Sequence, residues 1–154
     1  MKKLYFTCLF LLLSACQVYP LYGTQVYKNV CVESIPDASG FILFQELKRF
    51  FPDTSDCKYT LKSQTPTVAY SDQGLSDSDF TTMQRITARA DFSLLDTNKK
   101  AILKKTATTI GSSAVVANPY STVVAAETVE KNLYKSLAEK IALHVSAFLR
   151  KEEK

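Results

Sequence analysis

From Arg85 to Leu94 the chain alternates without a break, with Ile86, Ala88, Ala90, Phe92 and Leu94 set against Arg85, Thr87, Arg89, Asp91 and Ser93. Successive side chains of a strand point to opposite faces, so this segment is predicted to be a β-strand with one core face and one wet face. Such a strand needs partners beside it and a second layer over its apolar side. Asp96-Thr97-Asn98-Lys99-Lys100 reads as a hairpin turn into a strand over residues 101–107 that can extend to Val115. The covering layer is supplied further on, where Val129, Leu133, Leu137, Ile141, Val145 and Phe148 recur at helical spacing after an Asn118-Pro119 start.

Ahead of the alternating strand the pattern is shorter. Val26, Val30 and Val32 oppose Tyr27, Asn29 and Glu33, a half-buried strand closed by Pro36-Asp37. Asp37 or Ser39 then caps a helix of about three turns, with Phe41, Phe44, Leu47 and Phe51 on its stripe and Pro52 at its end. The aromatic cluster Phe41, Phe44, Phe50 and Phe51 reads as core, with Phe50, off that stripe, also open to contact with a partner. Tyr59 and Leu61 alternate with Lys58, Thr60 and Lys62 in a second strand, Lys58 to Gln64, weakening toward Tyr70. Ser71 to Asp79 reads as a polar loop whose acids lack the spacing of a calcium loop. With 154 residues, 46% of them hydrophobic and only four Gly and five Pro, one core is expected. The order β-α-β-β-β-α predicts an α+β two-layer sandwich, two helices packed on one face of a four-stranded mixed sheet.

The first sixteen residues carry a different message. Met1-Lys2-Lys3 precedes an apolar run from Leu4 to Leu13 and the small residues Ser14 and Ala15, the pattern of a secretory signal peptide. The run is about half the roughly 20 residues that a membrane-crossing helix needs. Leu13-Ser14-Ala15-Cys16 resembles the bacterial lipobox, which makes Cys16 the lipidated N-terminus after cleavage. Several acyl chains on one residue hold a protein at a bilayer that one chain would hold only marginally. Gln17 at the next position, by analogy with bacterial sorting, directs the product to the outer membrane. Residues 1–15 are then a cleaved leader, 16–24 the anchored linker, 25–149 one domain and 150–154 a charged tail expected to fray.

The charge balance is mild, 19 Lys and Arg against 15 Asp and Glu, and it argues against a nucleic-acid binder. A lone His144, scattered loop acids and no evident nucleophile point away from an enzyme, and no cofactor or metal is implied. Cys31 and Cys57 remain beside the anchor, and an oxidising periplasm permits them to pair. Alternation groups Cys31 with Asn29 and Glu33 but Cys57 with Tyr59 and Leu61, opposite faces if both lie in strands. The pattern leaves both the bonded and the free state open.

Cys16-Gln17-Val18-Tyr19-Pro20-Leu21-Tyr22-Gly23 resembles the opening of the LPS-assembly lipoprotein (LptE) family, with Pro20-Leu21-Tyr22-Gly23 intact and Gln17-Val18-Tyr19 departing from the family pattern. Ala88-Arg89-Ala90-Asp91-Phe92-Ser93-Leu94-Leu95-Asp96 is similar to the family's third strand and hairpin. Asn118-Pro119-Tyr120-Ser121-Thr122-Val123-Val124-Ala125, with Leu133, Leu137 to Ile141 and Leu149, resembles its loop and last helix. The resemblance implies a non-enzymatic partner and plug of the LptD outer-membrane β-barrel, which assists barrel assembly and binds lipopolysaccharide on its way to the outer leaflet. A plug in a polar lumen needs a hydrogen-bonding face. Thr81, Thr82, Thr87, Ser93, Thr106, Thr108 and Thr109 lie in or beside the last two strands and are candidates for it. Lipopolysaccharide phosphates call for cations, and Arg85, Arg89, Lys104 and Lys105 are the candidate contacts. A basic residue that some relatives place ahead of the last helix is replaced here by Val123-Val124-Ala125-Ala126. The same anchor and sandwich also suit a lipid-anchored periplasmic structural or adaptor protein with another envelope partner, and copurification of a large barrel separates the two.

Overall fold

The computed structural model describes residues 29–75, 81–115 and 118–152. The lipidation site Cys16, the Pro20-Leu21-Tyr22-Gly23 stretch and the start of the first predicted strand lie outside the described residues. The elements are β1 (Val30–Val32), α1 (Ala38–Phe50), β2 (Tyr59–Ser63), β3 (Thr67–Leu75), β4 (Thr81–Leu95), β5 (Ala101–Ala114) and α2 (Pro119–Glu152). The helices pack on one face of a single mixed sheet, the α+β sandwich expected. β1 runs parallel to β2, and every other pairing is antiparallel.

The alternating segment is the spine of the sheet. β4 pairs along its length with β5 on one side, while β2 and β3 share its other side end to end. Five strands stand where four were expected because the second segment is interrupted. Lys62 lies opposite Ser93, and the Gln64 amide donates to Asp91 O at 2.9 Å, yet Thr67 already lies opposite Arg89. One extra residue has been taken up around Thr65-Pro66, where proline offers no amide to the ladder. Beyond the interruption pairing resumes, and Ser71, Asp72 and Gln73, read as loop, face Arg85, Gln84 and Met83 across the ladder. Residues 76–80 of that predicted loop lie outside the described residues.

The core is the even-numbered face of β4. Ile86, Ala88, Ala90, Phe92 and Leu94 are all buried, beneath Leu133, Leu137, Ala138, Ile141, Ala142, Val145 and Leu149 of α2. Small residues, Ala88 and Ala90 of β4 and Ala138 and Ala142 of α2, are buried between helix and sheet. At Gly111 of β5 a Cβ would come within 2.8 Å of Val129 Cγ1 and 3.3 Å of Leu133 Cδ2, which ties that position to glycine. Arg150, Lys151 and Glu152, read as a tail, continue α2.

α1 keeps most of its predicted stripe. Leu47 and Phe51 are fully buried and Phe44 packs against the core, while Phe41 is 57% exposed and Leu43, outside the predicted stripe, is fully buried; Phe50 is half-buried against the core. Steps of three and four residues back from Leu47 reach both Phe44 and Leu43, and the core takes in both. Asp37 does not cap the helix with its side chain. It takes a φ of 68°, its carbonyl accepts from the Phe41 amide at 2.8 Å, and its carboxylate accepts from Thr65 Oγ1 at 3.3 Å.

Cys31 and Cys57 are joined in a disulfide, with their Cα atoms 5.5 Å apart. Strand alternation does not extend to Cys57, which precedes β2 and sits in the connection from α1, where side-chain direction has no period of two. The bond closes α1 between β1 and β2.

Candidate functional site: the uncovered sheet face

No described element covers the odd-numbered face of β4. Strand alternation collects there Arg85, Thr87, Arg89, Asp91 and Ser93 of β4, with Thr67, Ser71 and Gln73 of β3 on one side and Lys104, Thr106, Thr108 and Ser112 of β5 on the other. Short hydroxyl side chains predominate, and Met83 (46% exposed) and Ile110 (63%) are its large apolar members. Of the residues expected on this face, Thr87, Ser93, Thr106 and Thr108 belong to it. Thr109 does not: it is buried beneath α2 and its hydroxyl donates to Leu133 O at 3.3 Å. The strand reverses face at every residue, so adjacent threonines cannot share a face. The side chains of Thr81 and Thr82 lie outside the described residues.

The four candidate cations do not form one patch. Arg85 and Arg89 share the face about 13 Å apart along β4. With the Gln73 amide oxygen facing it, the Arg85 guanidinium donates two bonds at 2.6 and 3.0 Å. Arg89 Nη2 lies 3.7 Å from Asp91 Oδ1, and the same carboxylate accepts from Thr106 Oγ1. Lys104 stands a further four residues along, opposite Ser93. Lys105 is opposite Phe92 and belongs to the helix side, where its charge acts on His144.

Sequence reasoning missed the lysine that does accompany Lys104. Lys62 of β2 is also opposite Ser93, so the row Lys62, Ser93, Lys104 crosses three strands. With Gln64, Asp91 and Thr106 it lines an open depression of about 480 Å³. Lys62 Nζ reaches Glu33 Oε1 at 3.0 Å. No sequence period connects residues 62 and 104, which become neighbours only through their separate registers with β4.

On the helix side a second polar group joins two elements, β3 and α2. The Glu130 carboxylate accepts from Tyr134 Oη at 2.5 Å and from Tyr70 Oη of β3 at 3.0 Å. Burial, then the hydrogen bond and charge of Glu130, push both phenols above their ordinary range. They therefore remain protonated donors at physiological pH and tie β3 to α2. The Glu130 to Tyr134 spacing is the i,i+4 signal visible in the sequence, but Tyr70 carried none.

His144 stacks against Phe92 at 6.1 Å between ring centroids. Burial, followed by the charges of Lys105 and Lys140, lowers its pKa below the ordinary 6.5. Below pH 6.5 the unfolded chain gains a proton that the native imidazole refuses. Stability is therefore expected to fall as pH drops from 6.5 through the folded value, and to be free of this contribution to the slope above 6.5. His144→Phe should flatten that slope in denaturant titrations at pH 7.5 and 5; an unchanged slope would assign it to other groups.

The sequence matches no family model and no curated protein. Solved structures do match. Rare lipoprotein B from Shewanella oneidensis superposes with a TM-score of 0.67 at 11% identity, over 81% of this chain and 98% of that one. The fold is one that bacterial lipoproteins share. The minor lipoprotein from Acinetobacter baumannii gives a TM-score of 0.63 at 20% identity, covering 79% and 92% of the two chains. Lipoprotein B from Nitrosomonas europaea gives 0.64 at 16%, covering 80% and 85%. At these identities the likeness is one of fold.

Proposed function

We propose that this chain is an outer-membrane lipoprotein, anchored through Cys16, that partners and plugs an LptD-like β-barrel, assisting its assembly and the passage of lipopolysaccharide to the outer leaflet. The uncovered face of β3, β4 and β5 carries the reading. β4 has 15 residues, about 50 Å of strand, against an apolar belt about 25 Å tall on an outer-membrane barrel. A hydroxyl-rich face on a strand about twice the belt's height is long enough to line a polar lumen from end to end, offering mainly hydrogen bonds rather than apolar surface. The lipobox-like Leu13-Ser14-Ala15-Cys16 supports the anchor, and the fold shared with lipoproteins, rare lipoprotein B among them, supports the class. On this reading Arg85, Arg89, Lys104 and Lys62 are the cations that the lumenal face offers to lipopolysaccharide.

The test is a mild-detergent pulldown of the full-length protein from its native membrane, with partners identified by mass spectrometry. Recovery of a large outer-membrane barrel in equal amount is expected. Recovery of the lipoprotein alone, or with a periplasmic complex lacking the barrel, overturns the barrel role and leaves an envelope adaptor. Cys16→Ala should release the protein into the soluble periplasmic fraction of cells without the barrel, because the lipid is then its sole attachment. Continued pelleting there would remove the anchor assignment.

A further inference from the structure

β5 lies at the rim of the sheet: among the described residues β4 is its only partner strand. The direction of its backbone groups follows from the ladder. The Gln64 amide donates to Asp91 O, so odd-numbered residues of β4 turn their N–H and C=O toward β2 and β3, and even-numbered ones toward β5. Ala88, Ala90 and Phe92 lie opposite Thr109, Ala107 and Lys105. The even-numbered residues of β5 therefore aim their backbone groups outward, away from the sheet. Lys140 Nζ donates to Thr108 O at 2.7 Å, as an outward carbonyl allows.

The two halves of this edge are unlike. The first has Lys104 and Lys105, charges of the kind that keep a strand edge from pairing, and the register slips beside it between Leu94 and Leu95. From Thr106 to Ala114 there is no charge, no proline and no register shift. Thr106, Thr108, Ile110, Ser112 and Ala114, whose backbone groups point outward, are all exposed. Ile110 is 63% exposed, a branched apolar group among hydroxyls.

We infer that this edge pairs with the same edge of a second copy, antiparallel about a two-fold axis at Ile110. Ile110 then faces its own counterpart, Thr108 faces Ser112 and Thr106 faces Ala114. Every pair joins two outward-facing residues, so five pairs with two bonds each exchange about ten backbone hydrogen bonds. The two isoleucines meet with Cβ atoms about 5.5 Å apart and shield each other from water. A second copy is the occupant because the segment is complementary to itself: small or hydroxyl side chains meet their like, Ile110 meets Ile110, and the lysines of each copy fall beyond the paired stretch. Releasing Lys140 from Thr108 costs little, because its exposed ammonium returns to water. The pairing describes the chain by itself and rests on neither the anchor nor the barrel.

The purified full-length protein, in mild detergent, is followed by residue-resolved amide exchange at low and high micromolar concentration. Exchange of the Thr106, Thr108, Ile110 and Ser112 amides should slow about tenfold at the higher concentration, the shift that mass action gives a chain passing from mostly single to mostly paired. The amides of Ala107 and Thr109, already turned to β4, should keep their rates. Ile110→Lys sets two ammonium groups opposite each other and should abolish the slowing; unchanged rates at Ala107 and Thr109 verify that its sheet is intact. Oxidation of Ile110→Cys at the higher concentration should give a disulfide-linked dimer, since the Cα atoms of such a pair lie about 5.5 Å apart. Thr106→Cys should stay single, its counterpart lying about 27 Å away. Slowing of odd and even amides alike, equal crosslinking at both positions, or no crosslink at Ile110→Cys overturns the inference. Even-numbered amides protected to the same degree at every concentration overturn it in favour of an occupant within the chain, and even-numbered amides unprotected throughout show the edge to be empty.

Discussion

Leu137→Ala is expected to lower the free energy of unfolding by about 2–5 kcal/mol, a large share of the roughly 5–15 kcal/mol that a domain of this size commands. Leu137 is fully buried on α2, in the core cluster that also contains Leu43 and Leu47 of α1 and Phe92 and Leu94 of β4. Truncation removes transfer free energy and leaves a void that packed neighbours on three elements cannot all move to fill. Leu143, six residues on and 41% exposed, is the control. Leu143→Ala should change stability by no more than about 0.5 kcal/mol. Denaturant unfolding of both variants checks the contrast; equal losses would mean that α2 presents a different face to the sheet.

Removing the Cys31–Cys57 bond is the second large effect. The cysteines are 26 residues apart, and closing a loop of that length in the unfolded chain accounts for about 3–4 kcal/mol. α1 lies within the loop, and β1, only three residues long, lies at its mouth. The loss should therefore appear first as faster amide exchange in β1 and α1, while β4 and β5 hold until global unfolding. The double variant Cys31→Ser/Cys57→Ser avoids a stray thiol. Its unfolding midpoint should fall below that of the oxidised protein and be indifferent to reductant, whereas reductant should bring the native protein down to it. A native protein equally stable with and without reductant would show that the bond contributes nothing to stability.

The two effects differ in how they were legible. Leu137 belongs to a stripe repeated over many turns of α2, so its burial could be read from residues near it in the chain. The disulfide depends on where an irregular connection carries Cys57, which no local period describes. The same division runs through the candidate site. That β4 has a wet face with Arg85 and Arg89 was evident from alternation; that Lys105 leaves this face follows from the same rule applied to β5 in its observed register. That Lys62 joins Lys104 was not evident, since it required knowing that β2 and β5 flank the same residue.

The long, unbroken periods of β4 and α2, and the hairpin turn that leads β4 into β5, were legible along the chain, and with them the two-layer arrangement, because a strand apolar on one face and a helix apolar on one stripe leave few ways to exclude water. Long-range contacts set the rest. They divided the second predicted strand at Thr65-Pro66, turned Phe41 of α1 outward and Leu43 inward, bonded Cys31 to Cys57, and assembled Lys62, Ser93 and Lys104 from three strands. Each of these depends on contacts between residues distant in the chain, whose energies act only once the sheet register has brought them together.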